Sequence, residues 1–461
     1  MQHAVAALAD LWAAGGLDND ALDSVDLVGD VESMPSVFRV GAAAMASTAA
    51  ATVAAREVGV LAGVVDKRAP VAVDGHHASS AFRSERYLRV DGKPPANPWA
   101  PLSGYYRTND GWIQLHCNFE HHGDRVVELL GTPRDREAVA TAIAGRGRFD
   151  LEDALAAVGA CATAFRSPEE WAATDHAVAI AGLPALEVVR IGDGPVEAPP
   201  AGGQLSLSGL RVLDLTRIIA GPVAGRFLAS HGATVMRVGA AHLPVIGQLI
   251  ADSCVGKLAT DLDLRVPEQR AKFTALVSQS DVLLQGYRPG GLDALGLGPT
   301  EMAELRPGLV YASLSAFGHV GPWAARRGFD SLVQTASGIG WAGMEAAGTD
   351  GPRPLPAQAL DHASGYLLAF GIAVALQRRA TIGGSWHVRV SLAQTGRWIT
   401  SLGRHDGLAI ADPTSADELM VNFETPGGLI SVVKPVGDIS GASPRWAKGP
   451  PVLGESLPAW P

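Results

Sequence analysis

One aspartate stands where the sequence could support nucleophilic chemistry. Asp361 lies in the segment Leu360-Asp-His-Ala-Ser-Gly-Tyr366, which leads into an apolar stretch ending at Gln377-Arg-Arg379. This position predicts that Asp361 caps a buried helix, whose positive end favours the ionised carboxylate. Such a carboxylate can attack an activated acyl group. An aspartate that only caps the helix explains the same spacing, and a hydrolase triad on His362 and Ser364 lacks a residue placed to orient the histidine.

A second candidate is the segment Thr216-Arg-Ile-Ile-Ala-Gly-Pro222, which joins a predicted strand to a predicted helix. In open α/β sheets ligands bind at the carboxyl ends of strands, where a helix N-terminus offers free backbone N–H groups to an anion. A tight turn with Pro222 at the first helical position explains the pattern equally well. No Walker motif is present in the sequence, which disfavours P-loop chemistry.

Two histidine-rich segments and one arginine pair are weaker signals. His116-Cys-Asn-Phe-Glu-His-His122 and the pair His76-His77 contain metal-ligand residue types without a familiar ligand spacing, so we expect no metal site. Arg326-Arg-Gly-Phe-Asp330 could hold a phosphate or a carboxylate through its arginines, or form a solvated turn. These segments alone do not define a reaction.

The candidate segment after Thr216 needs a strand before it and a helix after it. Residues 210–215 predict a strand, 221–230 a helix and 234–238 a second strand, which together form a βαβ unit. Further helices and strands are predicted at residues 267–278, 282–284, 299–305 and 309–314. The fold class is therefore α/β, with a Rossmann-like parallel sheet.

A smaller α+β domain is predicted before this sheet. Residues 40–55 predict a buried helix, Asn109-Asp-Gly111 predicts a β-hairpin, and Ser167-Pro-Glu-Glu170 a helix start. The predicted division is 1–35, an N-terminal helix and irregular segment; 36–191, the smaller domain; 192–204, a Gly- and Pro-rich linker; 205–404, the α/β domain; and 405–461, an extended C-terminal arm.

The composition of the chain argues against several classes of protein. The 461 residues carry 37 Lys plus Arg against 47 Asp plus Glu, so the net charge is −10 and no nucleic-acid partner is expected. Hydrophobic residues make up 47% of the chain, enough for a large core. The three cysteines show no CxxC pairing, the N-terminus does not resemble a secretory signal, and the apolar run Tyr366–Leu376 is too short to cross a bilayer. We expect a soluble, cytoplasmic protein with no membrane partner.

A series of ordered motifs runs through the second half of the chain. They are Leu207-Ser-Gly-Leu-Arg-Val-Leu-Asp-Leu-Thr216, Ala220-Gly-Pro222, Gly232-Ala-Thr-Val-Met-Arg237, Lys257 with Asp261-Leu-Asp-Leu264, Ser280-Asp-Val-Leu-Leu-Gln-Gly-Tyr-Arg-Pro-Gly290, Leu295-Gly-Leu297, Pro307-Gly-Leu-Val-Tyr-Ala-Ser-Leu-Ser-Ala-Phe-Gly318, Gly328-Phe-Asp330, Asp361–Arg379 and Trp386-His-Val-Arg-Val-Ser-Leu392. Together they resemble the family III CoA-transferases, which include formyl-CoA transferase and the carnitine and bile-acid CoA-transferases.

The first half of the chain adds to this resemblance. Gly104-Tyr-Tyr-Arg-Thr-Asn-Asp-Gly-Trp112 and Ser167-Pro-Glu-Glu-Trp171 resemble pieces of the family's smaller, C-terminal domain, yet here they precede the larger domain. Residues 40–74 also loosely repeat the helix-then-strand order of residues 365–391. The order of the domains is therefore expected to be permuted or partly duplicated.

The resemblance implies a CoA-transferase that forms an interlocked homodimer, takes acyl-CoA and carboxylic acid substrates, and needs no permanently bound cofactor. Asp361 falls on the family's catalytic aspartate, whose carboxylate attacks the acyl-CoA thioester to give a mixed anhydride and then an aspartyl-CoA thioester. The positions that match residues lining the family's CoA site are Arg217, Ile219, Ala220, Gly286, Tyr287 and Arg327.

Three positions depart from the family's pattern. Gly239 stands where an acidic residue is usual and Ala294 where some members have a CoA-contacting arginine, so the contacts to the CoA phosphates are expected to differ. The related α-methylacyl-CoA racemases use a histidine that matches Phe329 here, and a phenyl ring cannot transfer protons. Transfer is favoured, while a racemase using His362 and a non-catalytic acyl-CoA-binding protein remain alternatives.

Overall fold

The computed structural model of the protein describes residues 1–406, 408 and 415–461. Its α-helices are α1 (Gln2–Gly15), α2 (Val40–Leu61), α3 (Gly75–Ala81), α4 (Ser84–Tyr87), α5 (Glu120–Leu130), α6 (Arg136–Ala144), α7 (Arg148–Ala157), α8 (Pro168–Ala172), α9 (Asp175–Ile180), α10 (Ala220–Ser230), α11 (Gly247–Ser253), α12 (Pro267–Val277), α13 (Pro299–Leu305), α14 (Asp330–Ala336), α15 (Ile339–Ala347), α16 (Ala359–Ile382) and α17 (Leu392–Ser401).

Its strands are β1 (Val25–Val28), β2 (Val71–Asp74), β3 (Arg89–Val90), β4 (Gly104–Thr108), β5 (Gly111–Leu115), β6 (Ala162–Ala164), β7 (Glu187–Gly192), β8 (Arg211–Leu215), β9 (Thr234–Gly239), β10 (Leu258–Asp261), β11 (Val282–Gln285), β12 (Val310–Ser315), β13 (Ser385–Ser391), β14 (Met420–Thr425), β15 (Gly428–Val433) and β16 (Asp438–Ile439).

A seven-stranded sheet forms the centre of the protein. Its strand order is β10-β9-β8-β11-β12-β13-β7, in which the first six strands are parallel and β7 pairs with β13 in the antiparallel direction. The predicted α/β class with a parallel sheet is confirmed. Every strand and helix predicted between residues 210 and 314 is present, with each end within one residue of its predicted position.

These central strands form because their residues suit a sheet covered on both faces. All four residues of β11, Val282-Leu-Leu-Gln285, are buried, and four of the five residues of β8 are buried. A parallel strand that is covered on both faces shows such a continuous apolar run instead of an alternating pattern. The sheet therefore brings the segments after β8, β11 and β12 to one carboxyl-end edge.

The long helix α16 crosses the core next to this sheet. It packs against α2, α10 and β13, and nearly all of its first 18 residues are buried. Among the described residues α16 is the one helix long and apolar enough to cross a membrane, and its apolar window is entirely buried within the protein. The buried helix predicted at residues 40–55 is confirmed as α2, which lies beside α16.

The first half of the chain contributes to two cores. Side chains of α1 and α2 share one core with α16 and the central sheet. In contrast, β4, β5, β6 and helices α5–α7 enclose a separate apolar core around Ile113 and Leu151. The predicted hairpin is confirmed, because β4 and β5 pair across Asn109 and Asp110. The predicted domain boundaries themselves stay predictions.

The helix-strand order of the N-terminal region repeats the order seen later in the chain. Strands β1 and β2 are parallel neighbours with α2 between them in sequence, and α3 follows β2. Strands β12 and β13 are likewise parallel neighbours with α16 before β13, and α17 follows it. This agreement supports the internal similarity noted in the sequence, whereas a permuted domain order stays a prediction.

The C-terminal region contains pairing that the sequence analysis did not anticipate. Residues 405–461 were predicted as an extended arm, yet β14 and β15 form an antiparallel hairpin that pairs with β3. Strand β16 pairs with β2. The hairpin strands alternate between half-buried and exposed residues at β14, the pattern of a strand with one solvated face.

Candidate active site

Asp361 lies in the first turn of α16 but does not cap it. The helix begins at Ala359 after Gln358, so Asp361 is the third helical residue, and the predicted capping role is wrong. The carboxylate at this helix end belongs to Asp330, the first residue of α14. Its Oδ2 accepts a hydrogen bond from the backbone N–H of Asp361 at 2.9 Å. Asp330 thus supplies the negative charge that the helix N-terminus favours.

This arrangement disfavours the ionised form of Asp361, in contrast to the effect expected from a helix end. The Asp361 side chain is buried, and burial raises the pKa of its carboxyl well above the usual value, with further increases from the charges of Asp330 and Glu85. Burial raises the pKa of Asp330 to about 6, although the N–H groups of Asp361, Gln334 and Leu360 oppose the shift. Two buried carboxyl groups this close disfavour double ionisation.

The neighbouring His362 and Ser364 are occupied elsewhere. His362 Nε2 lies 2.9 Å from Glu85 Oε2, and its ring stacks on Phe82. The hydroxyl of Ser364 pairs with that of Thr395 at 2.7 Å. Neither side chain lines the cavity that Asp361 faces. The geometry gives no support to a hydrolase triad on these two residues.

Asp361 lines a cavity of about 380 Å³ at the carboxyl-end edge of the central sheet. The structure brings all six positions matched to a CoA site into this same cavity, namely Arg217, Ile219, Ala220, Gly286, Tyr287 and Arg327. A volume of this size lies within the usual range of small-molecule sites. The sequence motifs therefore converge in space, although they are separated by more than a hundred residues along the chain.

The loop after β8 is held in a strained conformation beside Asp361. Ile218 has a φ of 75°, in the left-handed region that non-glycine residues rarely adopt. A Cβ added at Gly221 would lie 2.3 Å from the Cβ of Thr216, so the close turn requires glycine. Asp214 anchors this turn by accepting hydrogen bonds from both the backbone and the hydroxyl of Thr216. The loop is thereby fixed before any ligand arrives.

The cavity wall carries positive charge without matching carboxylates. Among the described residues, no ion pair involves Arg217, Arg288 or Arg327, and the buried Nε of Arg327 has no hydrogen-bond partner. Burial and then the charge of Arg288 lower the pKa of Arg327. By contrast, Arg326 pairs with Asp153 at 2.6 Å. Sequence reasoning missed Arg288 as a site residue, although it lies in the quoted Tyr287-Arg-Pro motif.

The histidine-rich segment of the smaller core reaches the same cavity. His121 and His122 line it, and burial lowers the pKa of His122 to about 3 and that of His116 to about 4. The ring of His116 stacks on Phe329 with 3.8 Å between ring centroids. Within the described part of the chain, no group of three or more His, Cys, Asp or Glu side chains could hold a metal ion.

The other histidine pair lies apart from this cavity. His76 pairs with Glu418 at 3.1 Å, and His77 Nε2 lies 3.1 Å from the carbonyl oxygen of Lys434. Both contacts tie α3 to the C-terminal region. The two histidine segments that the sequence analysis grouped together are therefore separate in space.

Gly239 shows how this chain differs from the usual pattern at β9. A Cβ at this position would lie 2.4 Å from Nη1 of Arg237 and 2.6 Å from Oδ1 of Asp261, so an acidic side chain would require both to move. Asp261, on the neighbouring strand β10, faces Arg237 at 3.9 Å instead. Ala294 lies in the short 3-10 segment Asp293–Leu295 and does not line the Asp361 cavity.

Comparison with known families shows which family the sequence around this cavity resembles. Residues 207–412 match the model of CoA-transferase family III. The match covers 206 of the 461 residues, so this region, and not the whole chain, is similar to that family. It contains the strands, the strained loop and the aspartate that enclose the cavity.

Known relatives of the family III region carry CoA-transferase names. An acyl-CoA transferase of Gibberella moniliformis is 32% identical over 311 residues, covering 62% of this chain and 54% of that protein. An acetyl-CoA:oxalate CoA-transferase of Acetobacter aceti is 35% identical over 210 residues, covering 42% and 53%. The crystal structure of Rv3272 from Mycobacterium tuberculosis matches at 31% identity with a TM-score of 0.38, covering 43% and 57%. The chain spans about half the length of the curated relatives it matches.

Proposed function

We propose that the protein moves CoA from an acyl-CoA donor to a carboxylic acid acceptor, with Asp361 as the nucleophile. The observation that carries the proposal is the convergence on one cavity of Asp361 and six CoA-site positions, all of which lie in the region matched by the family III model. A buried carboxyl next to a cavity with unpaired cations suits attack on an anionic, activated acyl group.

Each covalent step conserves atoms and charge. The carboxylate of Asp361 attacks the donor thioester carbonyl, the C–S bond breaks, and a mixed aspartyl anhydride and CoA thiolate form. The thiolate then attacks the aspartyl carbonyl, which gives an aspartyl-CoA thioester and releases the donor acid. The acceptor carboxylate attacks that thioester, the thiolate leaves and attacks the acceptor carbonyl of the new anhydride, and free Asp361 and acceptor acyl-CoA result. Because activation is carried by thioester and anhydride bonds, the sequence of steps requires no bound cofactor.

The cations of the cavity suit the phosphates of CoA. Arg217 and Arg327 match CoA-site positions, and Arg288 adds a third guanidinium to the same wall. Guanidinium groups bind phosphate through paired hydrogen bonds, and these three are not neutralised by carboxylates of the described residues. We propose that they anchor the phosphate groups and leave the thioester end facing Asp361.

In this proposal the acceptor of CoA is a carboxylic acid. The name of the Acetobacter aceti relative gives acetyl-CoA as its donor and oxalate as its acceptor. A carboxylate acceptor is also what the chemistry requires, because only an oxygen nucleophile of this kind regenerates an anhydride.

The test is intact-protein mass spectrometry after incubation with a panel of acyl-CoAs. We expect a covalent adduct of acyl or CoA mass that hydroxylamine removes and that is absent from Asp361→Ala. Asp350→Ala, an exposed aspartate outside the cavity, is the matched control and should form the adduct normally. An adduct that persists in Asp361→Ala would refute the nucleophile.

Solvent deuterium separates transfer from racemisation. His362 is held by Glu85 and Phe329 cannot exchange protons, so no deuterium should enter the α position of recovered acyl-CoA. Rapid deuterium incorporation without an adduct would support the racemase instead. Acyl-CoA binding without turnover would support a non-catalytic binding protein.

We also propose that the protein is a cytoplasmic homodimer. Its cysteines, Cys117, Cys161 and Cys254, are all free and buried, which suits a reducing compartment. Light scattering on the purified protein measures the mass, and fractionation of the source cells measures the location. A monomer, or recovery in a secreted fraction, would contradict this assignment.

A further inference from the structure

The hydrogen bonds around Asp330 show where a negative charge is held. Its Oδ2 accepts the backbone N–H of Asp361 at 2.9 Å, and its other oxygen accepts the side-chain amide of Gln334. The backbone N–H of Leu360 also stabilises its charge. All of these partners are donors, and a carboxyl group surrounded by donors favours its anionic form.

Asp361 occupies the opposite kind of environment. Its side chain is buried, and the two charges that act on it most strongly, those of Asp330 and Glu85, are both negative. Glu85 keeps its charge because its hydrogen bond to His362 lowers its pKa against the cost of burial. Of the two neighbouring aspartates, the surroundings of Asp330 therefore favour the charged form and those of Asp361 favour the protonated form.

We propose that Asp330 is a positioning residue that keeps Asp361 protonated in the unliganded protein and thereby sets the pH at which Asp361 becomes a nucleophile. The second half of this statement rests on the proposed function. Asp330 does not line the cavity, and it acts on Asp361 through the hydrogen bond to its backbone N–H and through its charge, so it acts on the nucleophile and not on the substrate. Above that pH, Asp361 loses its proton to solvent.

Other ionisable groups near Asp361 do not produce the same pH dependence. The cavity side carries His121, His122, Arg217, Tyr287, Arg288, Arg326 and Arg327. Burial keeps His122 neutral above a pKa of about 3. On the helices packed against α16, Arg56 pairs with Glu57 and Arg226 with Asp252. His121 also lines the cavity, and burial lowers its pKa, so the titration of Asp361 is measured at its own carboxyl group.

The direct test is a carbon-13 NMR titration of aspartate carboxyl groups without substrate. The Asp361 signal is identified by its absence in Asp361→Asn. We expect its midpoint to lie above the usual aspartate range and to fall by about one pH unit or more in Asp330→Asn. Glu85→Gln should lower it by less, and Asp350→Asn should leave it unchanged.

The rate of adduct formation provides a second measurement. At one pH unit below the wild-type midpoint, a one-unit downward shift raises the ionised fraction, and hence the rate of adduct formation, about fivefold in Asp330→Asn. A purely structural role for Asp330 would lower stability without moving the midpoint. If Asp330→Asn does not fold, Asp330→Ser carries the test, because it removes the same charge and keeps an oxygen acceptor at this position.

The outcomes separate the inference from the proposed function. A midpoint that stays unchanged in the Asp330 variant, or lies in the usual range in the wild type, overturns the role of Asp330. Because the titration uses no substrate, it decides this point even if no acyl-CoA forms an adduct. A shifted midpoint without any adduct would support the inference and contradict the transferase proposal.

Discussion

Gly365 allows α16 to approach the first turn of α10, and Gly365→Ala tests whether this contact places the loop against Asp361. A Cβ at position 365 would lie 2.6 Å from the carbonyl oxygen of Ala220 and 2.7 Å from the Cβ of Val223. Ordinary contact between such atoms requires roughly 3.4 Å or more, so the helices must separate by roughly 0.8 Å. Ala220 lines the cavity with Asp361, so the separation changes the site.

Gly365→Ala is expected to change the free energy of unfolding only slightly and the rate of adduct formation strongly. Overpacking costs about 1 to 3 kcal/mol, and the better helix propensity of alanine returns about 1 kcal/mol, so the free energy of unfolding falls by about 1 kcal/mol. Displacement by nearly an ångström at a reacting centre costs much more in rate, because near-attack geometry is lost. We expect the rate of adduct formation to fall by about tenfold or more.

The assay is rapid-quench mass spectrometry of the adduct, together with a denaturant titration. Gly247→Ala is the matched control, because a Cβ there meets nothing within 4 Å at the start of α11. It should keep wild-type stability and rate. If Gly365→Ala forms the adduct at the wild-type rate, the close contact between α10 and α16 does not position the site.

Three further predictions follow from charges and burial. Arg217→Gln and Arg327→Gln should each raise the KM for acyl-CoA about tenfold, and added salt should reduce the difference; an unchanged KM in steady-state kinetics would refute the phosphate assignment. Lys257→Met should lower the free energy of unfolding by about 3 to 5 kcal/mol, because it strands the buried carboxylate of Asp214, 2.8 Å away. Adding Asp214→Asn, which removes the charge but keeps an oxygen acceptor for Thr216, should recover part of that loss in denaturant titrations, and no recovery would contradict the pairing. Burial lowers the pKa of His231 to about 3, so the folded state disfavours the protonated ring. The contribution of neutral His231 to stability is therefore complete above pH 6.5 and is lost as pH falls toward 3. His231→Phe should therefore reduce the loss of stability between pH 7 and 5, and an equal loss in both proteins would refute this assignment.

Much of the central domain could be predicted because its signals are local. The strands β8 and β11 are continuous apolar runs, and Pro267 and Pro299 stand at the first positions of α12 and α13. Such patterns depend on neighbours within a few residues. The hairpin of β14 and β15 has a local turn signal at Pro426-Gly427 that the sequence analysis did not use, whereas its pairing with β3, over three hundred residues away, leaves no local signal.

The sequence predicted which residues surround the candidate site, but it did not predict the charges that act on Asp361. The parallel topology requires the segments after β8, β11 and β12 to meet at one edge, so Arg217, Gly286 and Asp361 could be grouped from the motifs. The capping role assigned to Asp361 was wrong because the helix begins two residues earlier. The spacing of residues around position 361 contains no information about a carboxylate elsewhere that takes the capping position.

The sequence by itself determined the α/β class and the positions of the central strands and helices, and it led to Asp361 as the candidate nucleophile, because each depends on local apolar patterns and ordered motifs. Only the tertiary structure decided the state of that aspartate. Asp330 lies 31 residues before it, and Glu85 lies 277 residues before the adjacent His362. Folding buries these carboxylates beside Asp361, and in a low-dielectric interior their charges raise its pKa. Protonation depends on distances through space, which no spacing along the chain specifies.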